Sequence, residues 1–339
     1  MRKYKGIDMF KFIMALLVVV LHTHPLYGIN DRLNFLTADV IARVAVPFFF
    51  AASGFLLEKK ISSTVDIKEV IRRYIRKILG LYCIWTVVYL PAIIYDKILD
   101  TDDSLIRGIL TTMRDFVFTG SYSHLWYLPS VAVGIVVVYT LRKYLGEEKT
   151  VVVLLILFIA GLLTQTYFGL LTYTVDSTSI LWKMMRAVKK IMVTCRNGVF
   201  FGSIFIYMGT WVAKRDVALR MWKAFVGLAI SMLLFYIEVS YLWTAGYVRE
   251  TDMYVMLLPA VFFLLVISIQ ISVKGDTFSL RKMSMNIYFV HLYLKKIYIE
   301  LIGAYTDNNV GLFLFTLIGA LSIAYLMYRL SYLVERRET

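Results

Sequence analysis

Cysteine, histidine and charged residues are all scarce in this sequence. Its 339 residues include 2 cysteines and 4 histidines, and 18% of them are charged. Cys83 and Cys195 form no CxxC pair, and no His/Cys spacing suits a metal, so neither a structural disulfide nor a zinc site is expected. The low charge excludes an ordinary soluble domain, in which about a quarter of the residues are charged.

The sequence is instead rich in apolar residues, which occur in long runs. They make up 60% of the chain, and the mean hydropathy is +0.71. The charges gather in short clusters between apolar stretches of about 20 residues, the length that crosses a bilayer. The net charge of +14 does not predict a nucleic-acid partner, because DNA-binding proteins concentrate their cations on a folded polar face. We therefore expect a multi-pass membrane protein surrounded by lipid.

The apolar runs predict an all-α fold in which residues 1–339 form a single membrane domain of about ten transmembrane helices. The first run is about twenty residues long and lacks a small-x-small cleavage site, so it predicts a retained helix rather than a signal peptide. Most of the 37 Lys and Arg residues fall in the predicted cytoplasmic segments, which places both termini in the cytoplasm. The spans are predicted near 7–26, 38–57, 78–95, 125–141, 150–170, 199–213, 222–238, 253–273, 284–303 and 311–333.

Two clusters of cations have a pattern of their own. The cytoplasmic segment 58–77 is dense enough in Lys and Arg to hold anionic headgroups or a polyphosphate ligand, although it could equally serve only as a topology signal. The external segment 171–198 places Lys183, Arg186 and Lys190 on one helical face among apolar residues. That pattern predicts an amphipathic helix at the membrane interface.

Ionisable residues within spans indicate function, because each costs about 2.5–3.5 kcal/mol on insertion. On the first helix, Asp8, Lys11 and His22 fall on nearly one face, and Lys11 and His22 are about 16 Å apart along the axis. They could line one wall of a tunnel from a cytoplasmic cation to an outer imidazole. The alternative is an Asp8–Lys11 pair at the helix entry with an interfacial histidine.

Three further groups of polar residues lie on later helices. Arg43, Pro47 and Gly54 share a face of the second predicted helix, where Pro47 and Gly54 would provide a kink and a close approach, or simply packing. His124-Leu125-Trp126-Tyr127 begins the fourth predicted helix at its outer end, where an aromatic belt is also expected. The ninth carries a polar stripe of Tyr288, His291 and Lys295. All four histidines lie in or beside spans, which makes proton transfer plausible.

Together these residues resemble the acyltransferase-3 family of membrane proteins over about residues 7–330. That resemblance implies a ten-helix core in a bacterial-type cell membrane and the transfer of an acyl group, usually acetyl, from cytosolic acyl-CoA to a hydroxyl of a surface glycan or lipid-linked sugar. The family signature is an Arg, ten residues and a His, and here Lys11 stands at the Arg position before His22. The matching motifs are Ile7-Asp8-Met9-Phe10-Lys11, Leu21-His22, Val46-Pro47-Phe48-Phe49-Phe50, Ser53-Gly54-Phe55, His124-Leu125-Trp126-Tyr127-Leu128 and Asn286-Ile287-Tyr288 with His291.

A second resemblance is to the membrane domain of vancomycin-resistance serine racemases, which belong to the same superfamily. It is carried by 22–26 (His-Thr-His-Pro-Leu), by 42–47 (Ala-Arg-Val-Ala-Val-Pro) and by Arg196-Asn197-Gly198 with Phe200-Phe201. In those proteins a cytosolic pyridoxal-phosphate racemase follows the last helix, and the membrane part helps to supply L-serine. This chain ends at Thr339 without a lysine-bearing barrel sequence, so we expect no racemase activity from it.

The leading hypothesis is an acyltransferase without a permanently bound cofactor or metal. His22 acts as general base or acyl relay, and Asp8 orients Lys11. Lys11 holds the phosphates of acyl-CoA, helped by a basic stretch. A second set of residues orients the acyl group or stabilises the oxyanion. A third set contacts the acceptor at the outer mouth. The basic stretch is Arg72, Arg73, Arg76 and Lys77; the orienting residues are Arg43, Ser53, Tyr288 and His291; the acceptor residues are His124 and Trp126.

Two other functions remain open at this point. One is a small-solute permease that holds an amino acid such as L-serine between Arg43, the histidines and Tyr288 near the membrane midplane. The other is a non-catalytic membrane anchor or sensor, in which the basic loops only fix the topology.

Overall fold

The chain is all helical in the part that the structure describes. A computed structural model describes residues 4–99, 104–247, 251–303 and 309–337, and for residues 181, 189–192 and 334–337 it describes the backbone alone. The α-helices over these ranges are α1 Lys5–Thr23, α2 Asp31–Asn34, α3 Ala45–Ile61, α4 Ile67–Ile94, α5 Leu105–Phe118, α6 Tyr127–Thr164, α7 Phe168–Thr174, α8 Ile180–Met192, α9 Ser203–Arg215, α10 Met221–Thr244, α11 Leu257–Gln270, α12 Phe278–Ile302 and α13 Val310–Arg337.

Irregular helical segments join several of these elements. A π-helix at Phe35–Val40 and a 3₁₀-helix at Ile41–Val44 connect α2 to α3. Further π-helices lie at Tyr95–Leu99, after α4, and at Gly198–Gly202, before α9. Departures of this kind from α geometry are frequent at functional sites.

The chain divides into two compact units. The first comprises Met1–Phe49, Ala218–Tyr236 and Pro259–Thr339. In it α1 packs against α12 and α13, and α12 packs against α13, with Ile7, Val19 and Ile287 fully buried. Gly6 allows a close approach to α11, because a Cβ there would lie 2.1 Å from the carbonyl oxygen of Ser268.

The second unit comprises Phe50–Val217 and Ile237–Leu258. Here α6 packs against the Gly198–Gly202 π-helix and α9, and the rings of Phe50, Phe201 and Phe205 form its aromatic core. At one end of this unit the buried carboxylate of Glu58 accepts hydrogen bonds from both terminal nitrogens of Arg142, at 2.8 and 3.1 Å.

A helix corresponds to each of the ten predicted apolar runs, but the count of ten crossings is not confirmed. By length and composition, five described helices can cross a bilayer, or six if α6 and α7, which are bent by 75°, form one span. Helices α9 and α11 have 13 and 14 residues, or about 20 Å of axis, against a hydrocarbon core of about 30 Å. The described part of the chain is thus all helical, the protein is a multi-pass membrane protein, and ten crossings remain a prediction.

Several predicted boundaries were wrong. Helix α4 begins at Ile67 rather than near 78, because the side chain of Asp66 accepts a hydrogen bond from the backbone N–H of Glu69 at 3.0 Å and caps the first turn. Helix α5 was not predicted. The two helices predicted near 125–141 and 150–170 correspond to the two parts of α6, which is interrupted at Gly146 (φ 75°), and the second predicted helix ends in the short helix α7. Helix α8, capped by Ser179, confirms that the amphipathic segment is helical.

Candidate functional site

The polar faces of the first and ninth predicted helices meet in the first unit. The rings of His22 on α1 and His291 on α12 lie 5.3 Å apart, centroid to centroid, with 35° between their planes. The ammonium group of Lys295 donates a hydrogen bond to the backbone carbonyl of His22 at 2.7 Å. His291 is fully buried and His22 is partly exposed, so the pair has one inner and one more accessible imidazole.

The backbone of α12 fixes the tautomer of His291. Its Nδ1 lies 2.8 Å from the carbonyl oxygen of Tyr288 and 3.1 Å from that of Ile287. Carbonyl oxygens only accept hydrogen bonds, so Nδ1 carries the proton and Nε2 of the neutral ring holds the lone pair. The ring of Tyr288 lies 6.4 Å from that of His291. Tyr288 therefore positions this imidazole through its backbone carbonyl and places its own ring beside it.

The sequence suggested that Asp8 pairs with Lys11, but the structure pairs Asp8 with Arg281 instead. Its two carboxylate oxygens accept hydrogen bonds from the guanidinium of Arg281, both at 2.8 Å, and a third comes from the hydroxyl of Thr277 at 2.9 Å. The planar fork of Arg281 fits a carboxylate better than the point charge of a lysine does. Lys11 forms neither a hydrogen bond nor an ion pair with another described residue, and its interaction with the Asp8 carboxylate is a longer-range attraction between charges.

Arg43 lies in an irregular part of the chain. Because it belongs to the 3₁₀-helix before α3, the α-helical register that grouped it with Pro47 and Gly54 does not apply to it. Its guanidinium forms an ion pair with Asp39 at 3.4 Å, and both side chains are largely buried. In the same unit, Asn34 lies 3.3 Å from Nδ1 of His24.

The predicted acceptor residues and Ser53 belong to the second unit. The hydroxyl groups of Ser53 and Tyr127 are hydrogen-bonded at 3.3 Å. His124 is buried, with its ring 5.1 Å from that of Tyr89. Trp126 is also buried, and the guanidinium of Arg196 lies 4.9 Å above its ring. The described structure therefore groups these residues with one another and places His22, Arg43, Tyr288 and His291 in the first unit.

A polar cavity of about 520 Å³ lies in the second unit beside Arg196. Its charged residues form ion pairs, including Lys97–Asp115 at 2.7 Å and Arg196–Asp252 at 3.1 Å. Burial raises the pKa of the Asp115 carboxyl, but hydrogen bonds from Lys97 and Arg114 outweigh it and hold the pKa below its usual range. The cavity can hold a small polar ligand, and the residues that line it come from three predicted external segments, 96–124, 171–198 and 239–252.

The predicted basic stretch lies on α4 in the second unit. Arg72, Arg73, Arg76 and Lys77 are all exposed there, in a helix rather than in the predicted loop. Arg73 forms an ion pair with Glu69 at 2.6 Å. The donor-binding cations of the sequence prediction are thus divided, with Lys11 in the first unit and the basic stretch in the second.

Sequence reasoning missed Asp39 and Arg281. Asp39 is a carboxylate within the apolar run 38–57, and the cost of an intramembrane charge would have singled it out. Arg281 precedes the predicted ninth span and had no such signal, because only the tertiary packing of α1 against α12 brings it to Asp8.

Comparison with known proteins gives a family, and we report two relatives. A family model described as an acyltransferase domain, acyltransferase-3, matches residues 4–329. An amino-acid racemase from Enterococcus faecalis is 32% identical over 261 residues, which are 77% of this chain and 35% of that protein. A serine/alanine racemase from Enterococcus gallinarum is 29% identical over 264 residues, 77% of this chain and 36% of that protein. The chain spans about a third of the length of these relatives, and no solved structure matches it.

Proposed function

This chain belongs to the acyltransferase-3 family, and from that premise we propose that it moves an acyl group, acetyl in the first instance, from cytosolic acyl-CoA to a hydroxyl of a cell-envelope acceptor. The observation that carries this proposal is the meeting of His22 and His291, 5.3 Å apart, on two packed helices of the first unit. Two imidazoles so placed, with one tautomer fixed, are suited to moving a proton.

His22 is the proposed general base. The acceptor hydroxyl oxygen attacks the carbonyl carbon of the thioester while an imidazole nitrogen of His22 takes the hydroxyl proton. The tetrahedral intermediate then expels the sulfur, the C–S bond breaks, and the proton passes from His22 to the CoA thiolate. His291 is the proposed second proton-transfer group, and the Tyr288 hydroxyl can donate a hydrogen bond to the oxyanion.

Lys11 is the proposed contact for the donor phosphates. It lies on the same continuous helix as His22, about 16 Å away along the axis. Its ammonium group has no ion pair among the described residues, whereas the neighbouring carboxylate of Asp8 is fully engaged by Arg281 and Thr277. A cation in this position can attract a phosphate without first losing a protein partner.

Transfer of label from acetyl-CoA tests the proposed reaction. Membranes that contain the protein are incubated with radiolabelled acetyl-CoA, and base-labile label in the envelope fraction is measured. His22→Gln should lower the rate by about 10²–10⁴, the usual contribution of a general base. Lys296→Gln alters a cation on α12 that is paired with Glu300 and should leave the rate near that of the parent. A parent-like rate for His22→Gln would refute the role of His22.

A second candidate is a permease for an amino acid such as L-serine. The similarity to proteins named amino-acid racemase and serine/alanine racemase favours it. The neighbouring charges of Arg43 and Asp39 in the first unit are also a suitable pair for the carboxylate and ammonium groups of a zwitterion. Binding of L-serine without any binding of acetyl-CoA would select this function over acyl transfer.

A further inference from the structure

One face of α4 carries a row of three cations that have no ion-pair partner in the described part of the chain. Lys68, Arg72 and Arg76 recur every four residues and are exposed, so their side chains follow one another along the helix. None of the three forms an ion pair with another described residue. Arg73, on the adjoining face, differs because it is bound to Glu69. The row therefore offers uncompensated positive charge to a ligand outside the protein.

The same face of α4 continues as a shallow, open apolar groove along the surface of this helix. A cavity of about 680 Å³ extends from the cations past Ile71 and Ile75 to Leu79, Gly80 and Cys83. These residues all belong to α4, and from Lys68 to Cys83 the helix rises about 22 Å at 1.5 Å per residue. A Cβ added at Gly80 would meet no atom within 4 Å, so no described part of the protein covers the helix beside this glycine.

The position of the groove matches the boundary of a bilayer. The helical stretch Ile67–Leu99 is long and apolar enough to span a membrane, and only 28% of its apolar 18-residue window is buried within the protein. The excess of cations at its start puts that end at the cytoplasmic surface. Unpaired cations consequently lie at headgroup level, and the apolar part of the groove extends toward the hydrocarbon.

We propose that this groove binds an anionic glycerophospholipid of the cytoplasmic leaflet. Its phosphate lies against Lys68, Arg72 and Arg76, and one acyl chain runs along Leu79, Gly80 and Cys83. Charge complementarity favours an anionic over a zwitterionic headgroup. The apolar character of the groove beyond the cations favours a lipid chain over acetyl-CoA, because the pantetheine arm of acetyl-CoA carries amide and hydroxyl groups that would find no hydrogen-bond partner along Leu79, Gly80 and Cys83. Lipid binding here does not depend on the proposed acyl transfer.

Lipid binding to the purified protein in detergent tests the proposal. Native mass spectrometry with added phosphatidylglycerol or phosphatidylcholine gives the affinity for each lipid. Arg72→Gln/Arg76→Gln should weaken phosphatidylglycerol binding roughly 30-fold, since each cation near an anionic phosphate contributes about fivefold. The matched control, Arg73→Gln/Lys77→Gln, removes the same charge from α4 outside the groove and should change the affinity less than threefold.

A second variant tests the acyl chain and does not touch the cations. Gly80→Leu fills the groove at a position with free space and should weaken phosphatidylglycerol binding without lowering the melting temperature. Equal losses in the two double variants, or equal affinity for the two lipids, would overturn the proposal. Displacement of the lipid by acetyl-CoA with the same dependence on Arg72 and Arg76 would also overturn it, and would assign these cations to the acyl donor.

Discussion

The carboxylate of Asp8 links α1 to α12 through three hydrogen bonds. It is buried, whereas its partner Arg281 is half exposed, so substitution of Asp8 and substitution of Arg281 should affect stability differently. Removing the arginine leaves a buried carboxylate with one hydrogen bond, from the Thr277 hydroxyl, and the more distant charge of Lys11. Neutralising the aspartate leaves a cation that water can reach. Because the same two helices hold His22 and His291, the ion pair also supports the geometry of the candidate site.

We expect Arg281→Met to lower the free energy of unfolding by about 3 kcal/mol, the usual cost of an uncompensated buried charge. Asp8→Asn/Arg281→Met should recover part of this loss, because the buried charge is then gone. Denaturant unfolding in detergent measures both, with Lys274→Met as the control at an exposed cation. A loss no larger than that of the control would show that Asp8 is solvated.

At the scale of elements, close helix packing in the second unit depends on glycine. A Cβ at Gly54 of α3 would lie 2.1 Å from the carbonyl oxygen of Ile206 on α9, and a Cβ at Gly209 of α9 would lie 1.9 Å from that of Ala51. The two helices therefore touch backbone to backbone at two reciprocal points, a packing typical of small residues in membranes. The sequence analysis included a close helix approach at Gly54 among its alternatives.

Gly54→Ala should therefore destabilise the protein by about 1–3 kcal/mol, the usual cost of overpacking. Gly80→Ala is the matched control, because a Cβ there meets no atom within 4 Å, and it should stabilise α4 by up to about 1 kcal/mol through helix propensity. Thermal unfolding in detergent compares them. Equal effects would mean that α3 and α9 separate without cost.

Local sequence signals predicted the helices better than their ends. Long apolar runs placed a helix in each of the ten regions, because hydropathy is a property of the segment itself. The π- and 3₁₀-turns from Phe35 to Val44 have no such signal, and they moved Arg43 out of its predicted register. Helix α5 was missed because its apolar residues alternate with charges and do not make a continuous run.

At the scale of the whole molecule, the sequence predicted part of the candidate site. Lys11, His22, Tyr288 and His291 were selected from their position in spans, and the first unit brings the two histidines together. The replacement of Lys11 by Arg281 as the partner of Asp8 could not be predicted, since it arises from packing between residues about 270 positions apart. The prediction that Ser53, His124 and Trp126 share in the same reaction remains untested, because they belong to the second unit.

The central claim is that Lys11 binds the donor and His22 performs the chemistry, and acetyl-CoA binding to the purified protein tests it most directly. Isothermal titration in detergent compares the parent with Lys11→Ala and His22→Ala, with L-serine as the competing ligand. We predict that the parent binds acetyl-CoA, that Lys11→Ala weakens binding about tenfold, and that His22→Ala retains it. Binding of L-serine with no binding of acetyl-CoA would contradict the account and support the permease.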